Sequence, residues 1–240
     1  MIFTVTYDSK SLFVPSIDIQ FYAAKMDQQH IVPLANLVKE KEDYILNELT
    51  IPNKRQEDPL WLTGRLYQYN FLKFEHDSVR YLNEFIRTEY IKYMEEIGNP
   101  PGITYIQCWA NIMRPGGRKI STHNHSAGNR PWLDPELRTE ENLRKETERQ
   151  GYSYLSGNIS IQTNETSTFF QNPFLNREFY GIKNFNGEMI LFPSHMNHTT
   201  DKQSIDSERI TISFDIITQK LYDLITDLEG SEDLNYIRLT

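Results

Sequence analysis

Cysteine is almost absent from this 240-residue chain: Cys108 is its one example. No intrachain disulfide can form, and a reducing compartment suits such a sequence. Positive charge is also in deficit, with 25 Lys and Arg against 33 Asp and Glu and a formal net charge of -8. That balance gives no broad field to attract a phosphate backbone and disfavours nucleic acid as a partner. Long apolar runs are missing too. None approaches the roughly 18 residues that cross a bilayer, so no membrane partner is expected. The opening MIFTVTYDSKSLFVPS has no basic start, no long apolar centre and no small-residue cleavage site. It does not read as a secretory signal, and a cytoplasmic location is the expectation.

What the chain does have is enough length for a sizeable core and a 12% aromatic content suited to a folded, enzyme-like domain. The pattern favours one domain over residues 1–240. Its opening part, 1–101, combines strands and packing helices. Ile2 to Tyr7 and Leu12 to Tyr22 have strand composition. Ile31 to Leu49 places Val38, Tyr44, Ile45 and Leu49 at helical spacing as candidate buried contacts. A second helix is predicted from Asp77 to Ile97, with Val79, Leu82, Phe85, Ile86, Tyr90 and Met94 on its apolar side and Gly98-Asn99-Pro100-Pro101 as its stop.

After Pro101 the period changes to two. In ITYIQCWANIM, Ile106, Cys108, Ala110 and Ile112 alternate with Gln107, Trp109 and Asn111; in LSGNISIQT, Ile159 and Ile161 alternate with Asn158, Ser160 and Gln162. RITISFDII sets Arg209, Thr211, Ser213 and Asp215 against Ile210, Ile212, Phe214 and Ile216. A solvated sheet would carry Thr, Lys and Glu on its polar side. These faces carry Asn, Gln, Ser, Trp and Arg, which suit a lined cavity between two antiparallel sheets. The expected class is α+β: a double-stranded β-helix, or jelly-roll, core over 102–217, an N-terminal helical layer packed on one sheet, and a C-terminal helix and tail over 218–240. Residues 126–153 read as a charged insertion in that core, its helix capped by Asp134 with Pro135 at the first helical position. It is a solvated excursion or a lid.

Of six histidines, four form two close pairs, 123/125 and 195/198. The stretch STHNHSAGN spells the name of a nuclease family, but three adjacent letters cannot build that family's hairpin-and-helix metal unit. In an extended segment, Ser121, His123 and His125 share one face, so two imidazoles point into the same space. His30 and His76 sit at starts of helical segments without ligand spacing and read as surface or capping residues. Arg209 opens the polar face of the last long strand, and a guanidinium with Thr211 and Ser213 beside it fits a carboxylate.

Taken in order, CWANIMRPGG, HNH, YLSGNISI, GEMILFPSHMNHTT and SERITISF resemble the 2-oxoglutarate and Fe(II)-dependent oxygenases, in a bacterial and phage-rich branch related to prolyl hydroxylases. The resemblance covers Ile106 to Ile217. It implies Fe(II) and 2-oxoglutarate as cofactors, molecular oxygen as co-reactant, and hydroxylation of a small-molecule or peptide substrate. His123 and His198 then fall on iron ligands, Arg209 on the residue that binds the far carboxylate of 2-oxoglutarate, and Thr211 on its helper hydroxyl. Asn111, Asn158 and Tyr154 occupy positions that contact co-substrate or substrate. The substrate pocket would include Trp109, Gln107, Tyr154 and Gln162.

One departure stands out. The second ligand of this superfamily is usually the carboxylate of an HxD or HxE motif, and His125 occupies that place here. The shared face of residues 123 and 125 delivers His125 as a ligand. The alternative puts it beside the metal, with a carboxylate or water completing the site. His195 reads as structural or as a neighbour of the ligands. Other functional readings are a three-histidine, cupin-like metalloenzyme without 2-oxoglutarate and a non-catalytic ligand-binding jelly roll. Exposed strand edges leave room for a homodimer.

Overall fold

A computed structural model describes residues 1–49, 61–63, 69–116, 119–125, 154–163, 166–175, 177–201, 207–229 and 235–240. The insertion 126–153, with Asp134, lies outside these residues.

The strands are β1 (Ile2–Tyr7), β2 (Ile17–Lys25), β3 (Trp61–Thr63), β4 (Thr104–Met113), β5 (Leu155–Gln162), β6 (Ser167–Gln171), β7 (Phe179–Lys183), β8 (Glu188–Pro193), β9 (His198–Thr200), β10 (Arg209–Thr218) and β11 (Ile237–Arg238). Among the described residues three α-helices accompany them: α1 (Ile31–Tyr44), α2 (Asp77–Glu96) and α3 (Gln219–Glu229). The strands make two sheets. The larger runs β1-β2-β8-β5-β10-β4-β11, with β3 also on β4, and the smaller runs β7-β6-β9. Every pairing in both sheets is antiparallel.

The alternation read from the sequence becomes two packing layers. Ile106, Cys108, Ile159, Ile212 and Phe214 bury one face of the large sheet against Leu34 and Val38 of α1 and Leu82 and Ile86 of α2. At one end of the opposite face, Phe21, Ile190 and Phe192 meet Phe170 of the small sheet. The polar residues of β4, β5 and β10 occupy the rest of that face. The result is a mixed α+β fold whose two sheets enclose a polar interior, with the helices outside one sheet.

Gly157 makes the helix-side packing close. It stands opposite Phe214 in the β5–β10 register, and a Cβ there would collide with the Phe214 ring. Between the pairs Ile210–Gln162 and Thr211–Ser160 the register slips, leaving β5 one extra residue immediately beside Arg209. Such bulges bend a strand and re-aim its side chains.

Two local expectations are corrected. The second strand begins at Ile17 rather than Leu12, and Leu12 and Phe13 are 99% and 95% exposed. Side chains compete with the ladder there: Asp8 accepts the Lys10 N–H at 3.0 Å, and Ser9 Oγ accepts the Ser11 N–H and donates to the Val14 carbonyl. Tyr44 is exposed while Ile45 is fully buried. Ile45 lies two turns after the buried Val38 and on the same side of the winding, whereas Tyr44 is turned about 100° away from it. The chain then widens into a π-helical turn over Ile45–Leu49. The second helix keeps its predicted face, and His76 caps it by accepting the Ser78 N–H on Nδ1 at 3.1 Å. Among the described residues no helix is long and apolar enough to cross a membrane.

Candidate metal and anion site

The polar face is built by cross-strand register. Thr211 pairs with Asn111 on one side and Ser160 on the other; Ser213 pairs with Trp109 and Asn158; Asp215 pairs with Gln107 and Ser156. Asn111 Nδ2 donates to Thr211 Oγ1 at 3.2 Å and to Ser213 Oγ at 3.0 Å, and Asn158 Nδ2 donates to Ser213 Oγ at 3.2 Å. These bonds make a fixed floor of amides and hydroxyls, with Arg209 at one end and Asp215 at the other.

The histidines approach this floor from the opposite side. His123 and His198 form an antiparallel bridge, each N–H donating to the other's carbonyl at 3.0 and 2.8 Å. The His125 N–H donates to the Ser194 carbonyl at 2.8 Å. The imidazoles of His123, His125 and His198 converge, with ring centroids 5.1 Å apart for 123–125, 4.4 Å for 123–198 and 5.0 Å for 125–198. One nitrogen from each lies within 4.8 Å of the others, close enough to share a metal ion.

Each ring also has its Nδ1 engaged. His123 Nδ1 donates to the Ser121 carbonyl at 2.7 Å, His198 Nδ1 to the Met196 carbonyl at 3.0 Å, and His125 Nδ1 to Asp215 Oδ1 at 2.7 Å. A carbonyl oxygen only accepts, so the proton sits on Nδ1 and leaves Nε2 with its lone pair. Burial and the neighbouring His125 hold His123 neutral, its pKa pushed down to about 4. Burial, aided by His125 and His123, keeps His198 well below the usual histidine range. Phe192 and Phe170 pack on His198 with centroids 4.9 and 5.9 Å away. Three imidazoles that converge with Nδ1 engaged elsewhere are a donor set, through Nε2, for Fe(II), Zn(II) or a similar cation.

Arg209 is the other unusual group. It is 1% exposed, and its Nε, Nη1 and Nη2 have no hydrogen-bond partner among the described residues. Burial pulls its pKa down to about 10, with Asp201 opposing the fall. A buried guanidinium without an anion is costly to keep unless a ligand supplies one.

The remaining predicted residues separate. Trp109 lies beside His125, with ring centroids 5.5 Å apart. Gln107 is buried, its amide donating to the Tyr69 carbonyl at 3.3 Å. Gln162 donates to the Glu208 carbonyl at 3.0 Å, next to Arg209. Tyr154 goes elsewhere: its hydroxyl meets that of Tyr90 on α2 at 2.5 Å, and its ring packs against the helix-side core. His195 is exposed, and its ring is not part of the three-imidazole cluster. Two participants went unassigned by sequence, Asp215 and Ser156. Alternation alone places Asp215 on the cavity side of β10, but no spacing rule ties it to a histidine on another segment.

Residues 107–215 match a family model described as "Putative 2OG-Fe(II) oxygenase". None of the curated proteins matches the chain by sequence. Among solved structures, the chain is similar to a prolyl-4-hydroxylase from Pseudomonas putida at 8% identity and TM-score 0.51, over 83% of this chain and 92% of that one. It is similar to a prolyl hydroxylase from Trichoplax adhaerens, solved with a hypoxia inducible factor peptide fragment, at 12% identity and TM-score 0.53, over 85% and 86%. The epimerase SnoN of nogalamycin biosynthesis, an alpha ketoglutarate dependent non-heme enzyme, is similar at 9% identity and TM-score 0.55, over 92% and 93%. At these identities the structures establish a common fold.

Proposed function

We propose that this chain, whose residues 107–215 belong to the 2OG-Fe(II) oxygenases, couples 2-oxoglutarate decarboxylation to hydroxylation of a small-molecule or peptide substrate. The observation that carries the proposal is the combination, between the two sheets, of three convergent imidazoles and a buried Arg209 with no hydrogen-bond partner among the described residues. A metal site alone does not require that arginine. A co-substrate with a ketoacid at one end and a carboxylate at the other requires both.

Iron, when bound, supplies the oxygen activation by which 2-oxoglutarate and O2 become succinate, CO2 and one oxygen atom for the substrate. The protein supplies placement. His123, His125 and His198 offer Nε2, and the Nδ1 hydrogen bonds stop their rings from turning away. Arg209 takes the far carboxylate through its planar fork, with the Thr211 hydroxyl beside it. Asn111 and Asn158 hold the intervening floor in one arrangement through Ser213. Phe170 and Phe192 keep water from behind His198. Trp109, on the His125 side, forms part of the substrate wall, with Gln107 and Gln162 supporting the floor. Tyr154 belongs to the helix packing.

Anaerobic calorimetry of 2-oxoglutarate binding in the presence of Mn(II) tests this reading in the wild type, His198→Ala and Arg209→Ala. Binding in the wild type and its loss in both variants is the expected result. Absence of binding in the wild type, or indifference to both substitutions, overturns the reading. Metal binding and turnover that ignore Arg209→Ala favour the three-histidine enzyme without 2-oxoglutarate.

A further inference from the structure

The three imidazoles are not equivalent. His123 and His198 donate from Nδ1 to neutral backbone carbonyls, whereas His125 donates to a carboxylate. That carboxylate, Asp215, is itself 8% exposed. Ser156, fully buried, donates its hydroxyl to Asp215 Oδ1 at 2.6 Å and stands 3.0 Å from Ser194 Oγ. The same Ser156 oxygen is 3.3 Å from His125 Nδ1. The carboxylate, imidazole and hydroxyl therefore form a closed triangle held by β10, the 121–125 segment and β5. Ser194, whose carbonyl fixes the His125 backbone, ties that triangle to the end of β8.

We propose that Asp215 is a positioning residue for the metal: acting through His125, it fixes that ring as an Nε2 donor and lends the site the negative charge that its three neutral ligands lack. The inference rests on the reading of His125 as a ligand. Three neutral imidazoles leave a divalent ion with its full double positive charge in a largely buried cavity. A carboxylate hydrogen-bonded to the far side of one ligand raises that ligand's basicity and offsets part of the charge. Ser156 keeps Asp215 turned toward His125, because an acceptor fixed by a hydroxyl from one side and an imidazole N–H from the other has little freedom to rotate. The remaining groups beside Asp215 are not competing cations. Gln107 is its register neighbour on β4, spent on the Tyr69 carbonyl, and Cys108 is buried and held as the neutral thiol.

Co(II) titration of the apo protein under anaerobic conditions tests the proposal, read both as affinity and as the visible absorption of the bound ion. Asp215→Asn keeps the shape and removes the charge. It should weaken Co(II) binding by about 10- to 100-fold and shift the absorption bands, as loss of an outer hydrogen-bonded carboxylate does at other metal sites. Ser156→Ala should give a smaller loss in the same direction. In a His125→Ala background, Asp215→Asn should add nothing further, since its effect runs through that ring. Circular dichroism of each apo protein separates these effects from misfolding. If Asp215→Asn does not fold, the Ser156→Ala comparison decides. A folded Asp215→Asn with wild-type affinity and spectrum, or a Ser156→Ala indistinguishable from wild type in both, overturns the proposal. Wild-type protein that binds no Co(II) instead overturns the metal-site reading beneath it.

Discussion

Arg209 and Asp215 project from the same face of β10, six residues apart, and they differ in one respect: Asp215 Oδ1 accepts hydrogen bonds from His125 and Ser156, while the Arg209 guanidinium has no hydrogen-bond partner among the described residues. A single strand thus carries a completed charge at the metal end and an incomplete one at the other. An unpaired buried charge lowers the stability of the empty protein, so removing it should raise stability. Arg209→Met is expected to stabilise the apo protein by about 1–4 kcal/mol while abolishing 2-oxoglutarate binding. Urea denaturation and calorimetry on the same preparation check both halves.

The opposite outcome is expected at His198. His198→Ala removes an imidazole packed on Phe170 and Phe192 but leaves its backbone bridge to His123 in place. The apo protein should lose about 1–3 kcal/mol in urea denaturation, and metal binding should vanish.

Acid should weaken the apo protein earlier than its acidic composition alone suggests. His123 has a pKa of about 4 in the folded chain and an ordinary, higher one when unfolded, and His198 is shifted the same way. The unfolded state therefore binds more protons between about pH 6.5 and 4, so stability is full above that window and falls as pH drops through it. The urea midpoint should decline from pH 7 to pH 5, and the double variant His123→Gln/His198→Gln should show a shallower decline.

Gly157→Ala places a methyl group against the Phe214 ring on the helix side, away from the cavity. A loss of about 1–3 kcal/mol is expected from overpacking. Combining it with Phe214→Leu should cost less than the sum of the two single changes, a coupling that a double-mutant cycle measures.

Tyr154→Phe removes one hydroxyl from the Tyr90 pair. It should cost about 1 kcal/mol and leave 2-oxoglutarate affinity unchanged. A large loss of affinity would return Tyr154 to the cavity.

These predictions draw on features that differed in how far the sequence disclosed them. The period-two runs of β4, β5 and β10 disclosed both the sheet and its two faces, because a strand's geometry leaves no third direction for a side chain. His123 and His125 were legible for the same reason. The Asp215–His125 bond was not, since it joins residues ninety positions apart, and alternation specifies which way a side chain points but not what it meets. Tyr154 stands just before β5, where that alternation no longer binds it. Leu12 and Phe13 have strand composition but sit in a turn set by Asp8 and Ser9, whose short polar side chains satisfy the backbone locally. The shift from α- to π-helical winding after Tyr44 depends on packing around Ile45, and a propensity pattern carries no sign of it.

The reciprocal backbone hydrogen bonds between His123 and His198 bear on the order of assembly. Two donors drawn from distant parts of the chain are held at ligand spacing by peptide groups. The pairing spans 75 positions, so it closes a long loop and is slow to form by comparison with local contacts. Because peptide groups, and not only an ion they share, hold the two donors, a chelator should be able to empty and a metal salt refill the site with the chain folded throughout.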